Sequence, residues 1–508
     1  MNNTANKNAN GFGKNKFVPN PNGLVKALQV ESNFTLTTNG ALTNKSTLNS
    51  VLDWFAAGGA LRTRSAADVN SLFSKAFSED RLLALKILFY FRDRIAQGER
   101  KTTRVVFNWL ANNYPDILRK NLENIPFYGR WDDLYILIGT PLEADVYTLF
   151  EKQLTADIEN FKANKPVSLL AKWLKSVNTS SQESRNQGYA TAKALHLSPK
   201  KYRKILSKLR SYINVLETKM CANDWTSIDF EKVPSKASLI YRKAFGKHDQ
   251  VRYADYLTKV EKGEAKINAS VVFPYEILRA LVGERLCNTP SAQEIKVADL
   301  QWNAMPDFME GNELRAISMS DLSGSMTGLP MLVSISLGIY FAERNIGAFK
   351  DYWINFSTSP SFQKLIGNNL YEKFSNMDKH NWSGSTNLQS AFNLILSTAI
   401  QNGVKESDMP NALFIISDME FNNSGGITNF DAIKMKYKMA GYKLPKLVWW
   451  NVNAVQNNNP VRHDENGNML VSGCSPSILK TVMAAKQFDP MSAVYDVANQ
   501  ERYNRVTL

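Results

Sequence analysis

Oxygen-bearing side chains gather at three places in the second half of this 508-residue sequence. The first is Asp321-Leu322-Ser323-Gly324-Ser325, directly after the run Ala316 to Ser320. The second is Gly384-Ser385-Thr386-Asn387, just ahead of a helical pattern. The third is Asp418, which closes Ile415-Ile416-Ser417-Asp418. Alternation along an extended loop points Asp321, Ser323 and Ser325 the same way, and Gly324 permits a tight backbone path. With Thr386 and Asp418 they offer only carboxylate and hydroxyl oxygens. Hard donors of this kind suit Mg²⁺, or another divalent cation such as Ca²⁺ or Mn²⁺, and give a soft transition metal little advantage. These side chains cannot all be direct ligands, so water or a partner's carboxylate would complete the shell. An ion with few anionic ligands stays electrophilic, which suits docking an acidic group.

Such a site needs strand ends to hold it. Apolar strand-like runs recur at Tyr352 to Phe356, Ala412 to Ser417 and Lys446 to Val452, with helical stretches at Leu329 to Glu343, Asn387 to Ile400 and Phe430 to Ala440. This alternation predicts an α/β domain over 306–508, with a parallel sheet covered on both faces and ligands bound beyond the carboxyl ends of its strands. Residues 46–305 read differently. Arg81 to Phe91, Thr102 to Asn112, Val146 to Phe161 and Val167 to Val177 carry apolar residues at three-to-four spacing, which predicts an all-α, HEAT-like stack of helical hairpins. Residues 1–45 are rich in Asn, Gly, Thr and Lys without a period, and are expected to be a flexible arm.

A second chemistry lies in the charge. The chain carries a net +14. From Glu310 onward basic and acidic residues balance at 17 each, so the excess belongs to the first part. Between Phe161 and Met220, 13 basic residues face only Glu183 and Glu217. Ser198 and Pro199 suit a helix start. Tyr202, Ile205, Leu206, Leu209, Tyr212, Ile213 and Leu216 then make an apolar stripe, and Lys200, Lys201, Arg203, Lys204, Lys208 and Arg210 cover the remaining circumference. No acidic residue is interleaved to relieve their repulsion. A phosphate backbone is the natural partner of such a face. A second candidate set for RNA is Arg100, Lys101 and Arg104, with Arg92 and Arg94 nearby. The competing reading of this set is structural, with Arg92, Asp93 and Arg94 pairing with Asp132 and Asp133. Arg130-Trp131 could stack a base, but a Trp beside Asp-Asp-Leu is more often a packing residue at a helix start. Of Trp449 and Trp450, at least one belongs to the core.

Several classes are excluded. Cys221, Cys287 and Cys474 form no CxxC and cannot all pair, so neither a zinc finger nor a disulfide framework is expected, and a reducing cytoplasm is the simplest compartment. No window reaches the apolar length of a membrane span, and the N-terminus has no secretory apolar region. The four histidines are scattered, and no GxxxxGK[ST], HExxH or GxSxG occurs. One Asp-Ser-Ser site, with Glu420 the only obvious extra acid, falls short of the carboxylate cluster that two-metal phosphoryl chemistry needs. No enzyme is expected.

The order DxSGS, GSTN, ISD resembles the metal-ion-dependent adhesion site of von Willebrand factor A domains. Further runs extend the likeness: Leu300-Gln301-Trp302-Asn303, Ser417-Asp418-Met419-Glu420-Phe421, Trp449-Trp450-Asn451, Val471-Ser472-Gly473-Cys474-Ser475-Pro476 and, in the helical part, Pro126 through Leu134 and Ala171-Lys172-Trp173-Leu174. Together they are similar to an uncharacterised family, seen in plants, fungi, large viruses and phages, that resembles Ro ribonucleoproteins in joining a TROVE-like helical half to a von Willebrand A half. The resemblance implies a helical ring or arc that binds small or structured RNA and a metal site at Asp321, Ser323, Ser325, Thr386 and Asp418. The expected function is RNA binding without catalysis, with a Mg²⁺-dependent site for an acidic ligand or protein. The alternative is a metal-dependent docking scaffold, or a phage assembly component, with no RNA role. A phage source, acting in the host cytoplasm, is the expected setting.

Overall fold

The computed structural model describes residues 32–311, 314–356, 360–379, 387–422, 429–485 and 487–508. The chain opens with a hairpin, β1 (Phe34–Leu36) antiparallel to β2 (Leu42–Asn44). These residues fall in the stretch assigned by composition to a flexible arm. They are ordered by polar contacts rather than by an apolar face: Thr43 Oγ1 donates to Asn459 O at 3.0 Å, and Asn44 N and Nδ2 donate to the same carbonyl at 3.2 and 3.1 Å. An Asn/Thr-rich composition hides that kind of order.

Helices then run from Ser50 to Asn303, as the apolar periodicity predicts. After them come β3 (Ala316–Asp321), β4 (Tyr352–Phe356), β5 (Ser361–Lys364), β6 (Ala412–Ser417), β7 (Lys446–Asn451) and β8 (Asn468–Ser472). They form one sheet in the order β5-β4-β3-β6-β7-β8, parallel throughout except at the edge strand β5. Every residue of β3 and β6 is buried, as strands at the centre of a doubly covered sheet require, although Ser318, Ser320 and Asp321 keep β3 from being an apolar run. The chain winds outward from β3 in both directions, so the switch point lies between β3 and β6, where ligands of such sheets bind. Strands β5 and β8 are short, and neither showed an apolar run distinct enough to be read in the sequence.

The helical part is fixed to the α/β part at both of its ends. The first helix, Ser50–Gly58, lies on β8: Gly59 N donates to Ser472 Oγ at 2.9 Å, and that hydroxyl donates to Phe55 O at 2.7 Å. The helix Pro274–Val282 packs on Leu329–Arg344, whose other side faces the sheet. This sandwiching explains why Met331 to Ala342 are buried all round and why that segment is almost uniformly apolar. One hydrophobic core is therefore continuous across both parts. A smaller cluster around Phe230, Phe245, Tyr253 and Tyr256 holds the outer helices.

Candidate functional site

Asp321 ends β3 and is wholly buried. Its Oδ2 accepts from Ser417 Oγ at 2.6 Å and its Oδ1 from Ser323 N at 2.9 Å. Ser323 Oγ and Ser325 Oγ lie 3.1 Å apart. Asp418 stands one residue beyond β6. Its Oδ1 accepts from Glu420 N at 3.1 Å, while its Oδ2 is buried, close to the Ser325 side chain and with no hydrogen bond of good geometry among the described residues. Between them Met419 takes a positive φ of 65°, a conformation a long side chain adopts only when its surroundings impose it. Asp321, Ser323, Ser325 and Asp418 are thus brought together at the switch point. Thr386 lies outside the described residues.

The electrostatics suit a cation. Burial, reinforced by the neighbouring charge of Asp418, pushes the Asp321 carboxyl up to about 7. Burial likewise raises Asp418. Two adjacent carboxylates shielded from water disfavour each other's ionised form, and a divalent ion between them would reverse that. Among the described residues no group of three or more His, Cys, Asp or Glu side chains could hold a metal. The donor set here is two carboxylates and two hydroxyls, which suits a hard cation that keeps several waters. Glu420, the extra acid noted in the sequence, is already engaged: its carboxylate accepts from Thr38 N at 2.6 Å and Asn458 Nδ2 at 2.8 Å. Nothing in the sequence linked Thr38 or Asn458 to this loop, since 382 residues separate Thr38 from Glu420.

The basic helix spans Pro199–Tyr212, capped by Ser198 Oγ accepting from Lys201 N at 3.3 Å. Tyr202, Leu206 and Leu209 are buried. Lys200, Lys201, Arg203, Lys204 and Lys208 are all exposed, and none makes an ion pair among the described residues. Lys200, Lys204 and Lys208 recur every four residues, about 6 Å apart along the axis. Arg210 differs from them. Its guanidinium donates to Ala171 O, Leu174 O and Ser176 Oγ, each at 2.8 Å. This side chain ties the helix to the end of Leu170–Trp173, and its sequence assignment to an RNA face is corrected accordingly.

The second basic set divides in the same way. Arg104 is spent on carboxylates, with Nε 2.7 Å from Asp133 Oδ1 and Nη2 3.0 Å from Asp132 Oδ2, so it too leaves the RNA candidates. Arg92, buried, pairs with Asp133 at 2.5 Å. Of the structural reading of this junction only Arg92 holds: Arg94 is exposed without an ion pair among the described residues, and Asp93 pairs with Arg502. Lys101 Nζ donates to Arg62 O at 2.7 Å, and Arg100 is exposed without an ion pair among the described residues. Trp131 opens a 3₁₀ turn and packs near Phe150, as a helix-start residue would, while the Arg130 guanidinium lies 4.6 Å over the Trp173 ring. Both Trp449 and Trp450 are core, with their indole N–H groups bonded to Asn468 Oδ1 and Gly473 O. A cleft of 820 Å³ between Ala292–Asn303 and Leu370–Asp378 shares no residue with either site, and its Lys296 and Lys373 are paired with Glu261 and Glu343.

Fold and site together define a two-part protein: an α-helical half with a basic face, and an α/β half with a buried oxygen cluster at its switch point. Two families described as domains of unknown function match it, DUF2828 over residues 37–138 and 176–312 and DUF7788 over residues 315–507. An uncharacterized protein of Acanthamoeba polyphaga mimivirus is 31% identical over 516 residues, covering 92% of this chain and 87% of its own length. The chain belongs to the family of that viral protein. A mimivirus relative does not show the phage source expected from the sequence. The crystal structure of the Ro (RSR) protein of Deinococcus radiodurans aligns over 89% of this chain and 98% of its own, at TM-score 0.45 and 14% identity, a likeness too loose to carry function. No helix among the described residues is long and apolar enough to cross a membrane.

Proposed function

We propose that this chain is a non-catalytic RNA-binding protein whose helical half holds small or structured RNA. The observation that carries this reading is the face of Lys200, Lys201, Arg203, Lys204 and Lys208, exposed and without ion pairs among the described residues, on a helix whose opposite side is buried. Five uncompensated cations on one rigid element repel one another and gain most from a polyanion, because binding releases the counterions of the phosphates. In the same reading the α/β half is a von Willebrand A domain. Asp321, Ser323, Ser325 and Asp418, with Thr386 by resemblance, would hold Mg²⁺ as an adhesion-type site. When bound, the ion supplies a Lewis-acidic docking point for a carboxylate of a ligand or protein partner. The chain's own groups, Ser417 Oγ and Ser323 N on Asp321 and Glu420 N on Asp418, hold its two carboxylates in place.

The test is titration of a fluorescent structured RNA at several salt concentrations. The parent should bind with a steep salt dependence. Arg203→Glu with Lys204→Glu should weaken binding at least about tenfold and flatten the log–log salt slope by about 1 for each phosphate no longer neutralised. Absence of RNA affinity in the parent at low salt would sink the reading. The buried Asp418 Oδ2, without a well-formed hydrogen bond among the described residues, supports a second, scaffold reading, in which a protein partner is lost on Asp321→Ala and RNA is irrelevant.

A further inference from the structure

The tip of the N-terminal hairpin is seated on the loop that carries Asp418. Thr37 Oγ1 donates to Phe421 O at 2.6 Å, Thr38 N to Glu420 Oε2 at 2.6 Å, and Asn39 Nδ2 to Glu420 O at 2.6 Å. Gly40 forms an antiparallel bridge with Asn422. From the other side Asn458 Nδ2 holds Glu420 Oε1 at 2.8 Å, and Gln456 Nε2 reaches back to Thr38 Oγ1 at 3.0 Å. Glu420 N in turn donates to Asp418 Oδ1. Two local bonds, Met419 N to Ser417 Oγ and Glu420 N to Asp418 Oδ1, hold the positive-φ turn at Met419 from within, and the hairpin holds the residues just beyond it. Among the described residues, three of the hydrogen bonds on it come from a segment about 380 residues away in the chain.

We propose that the hairpin Phe34–Asn44 is a clasp for the cation site, with Thr37, Thr38 and Asn39 acting as positioning residues for Asp418 through Glu420 and Phe421. The proposal rests on the cation reading of the pocket given above. Groups that orient a ligand without touching the ion commonly change affinity by about 10- to 100-fold when removed. The clasp also keeps the Glu420 carboxylate occupied, so the site holds two carboxylates rather than three and leaves its ion electrophilic. The N-terminal segment thereby sets how tightly the α/β half binds its cation.

The experiment is Mn²⁺ titration of the full chain, following free Mn²⁺ by electron paramagnetic resonance, with thermal melts in EDTA as a control for folding. The parent should bind Mn²⁺, and Asp321→Ala should not. If the parent does not bind, or Asp321→Ala binds equally well, the cation reading falls and the clasp with it. Given parent binding, Thr37→Val with Asn39→Ala should weaken Mn²⁺ about tenfold. Thr43→Val, which loosens the hairpin where it meets Asn459 and away from the metal loop, should leave affinity within about twofold. Parent-like affinity in the tip variant, or equal weakening in both variants, overturns the clasp while leaving the cation site standing. Should the tip variant melt early in EDTA, Gln456→Ala serves in its place, since it removes only the outer bond to Thr38. It should weaken Mn²⁺ by a smaller factor, and unchanged affinity there overturns the clasp as well.

Discussion

Asp321 carries the clearest pH signature in the molecule. Its folded-state pKa, about 7, lies above the ordinary carboxylate value of 3.8, so the metal-free fold retains a proton here that the unfolded chain has released. That contribution to stability is complete below the unfolded value and is lost as pH rises through about 7. Metal-free protein should therefore lose stability between about pH 4 and pH 7 relative to Asp321→Asn, and Mg²⁺ should restore it at the upper end, because the ion and the proton compete. Melting profiles in EDTA and in Mg²⁺ test this, and parallel pH profiles for parent and Asn variant would refute it. Arg210 calls for the opposite kind of test from its lysine neighbours. Arg210→Ala strands the two buried-side carbonyls and the hydroxyl it serves, and should cost about 2 kcal/mol or more of stability, read by denaturant melts. Its RNA affinity should match the parent's once folded, whereas Lys204→Ala should show the reverse pattern. Sequence could not separate Arg210 from Arg203, because both lie on the flank of one helix and only the end of a different helix decides which one is consumed.

At the scale of elements, strand ends were legible because their chemistry is local. Asp321 ends a short extended run and Asp418 follows a nearly continuous apolar one, and parallel topology carries those run ends to one edge. The clasp was not legible, because β1 and β2 are three residues each and owe their order to carbonyls of the 420–422 and 459 loops. The seam between the halves was also hidden, and it turns on Gly59. A Cβ there would lie 2.4 Å from Ser472 O, on the strand the first helix packs against. Gly59 has an ordinary φ of −70°, so the demand is for space, not for backbone freedom. Gly59→Ala should force helix and strand apart and destabilise the protein by about 1–3 kcal/mol, against the slight stabilisation expected of Ala in a helix-end conformation at an open site. An unchanged denaturation midpoint would mean that the seam gives way more easily than its hydrogen bonds to Ser472 suggest.

At the scale of the whole molecule, two domains by sequence become one body by packing. The core passes without a break from Trp54 and Phe91 through Leu278 and Tyr340 to Trp449, and the chain's last residues return to the helical half. There Arg502 pairs with the fully buried Asp93, with Nη2 2.9 Å from Oδ1, and Tyr503 Oη donates to the same carboxylate at 3.1 Å. Tyr128 Oη donates to Arg502 O, and Asn124 Nδ2 to Arg505 O. Linkage of this kind makes the halves unfold together, since exposing either strips apolar surface from the other. Calorimetry of metal-free protein should give a single transition despite a length at which separate domains are common. Asp93→Ala leaves Arg502 and Tyr503 without their acceptor and should lower that transition as a whole, by about 3 kcal/mol or more, without splitting it. Two resolved transitions in the parent, or a shift in only one of two in the variant, would show that the helical and α/β halves are neighbours rather than parts of one cooperative fold. The Asp418 loop would then be governed by its own half and by the hairpin alone.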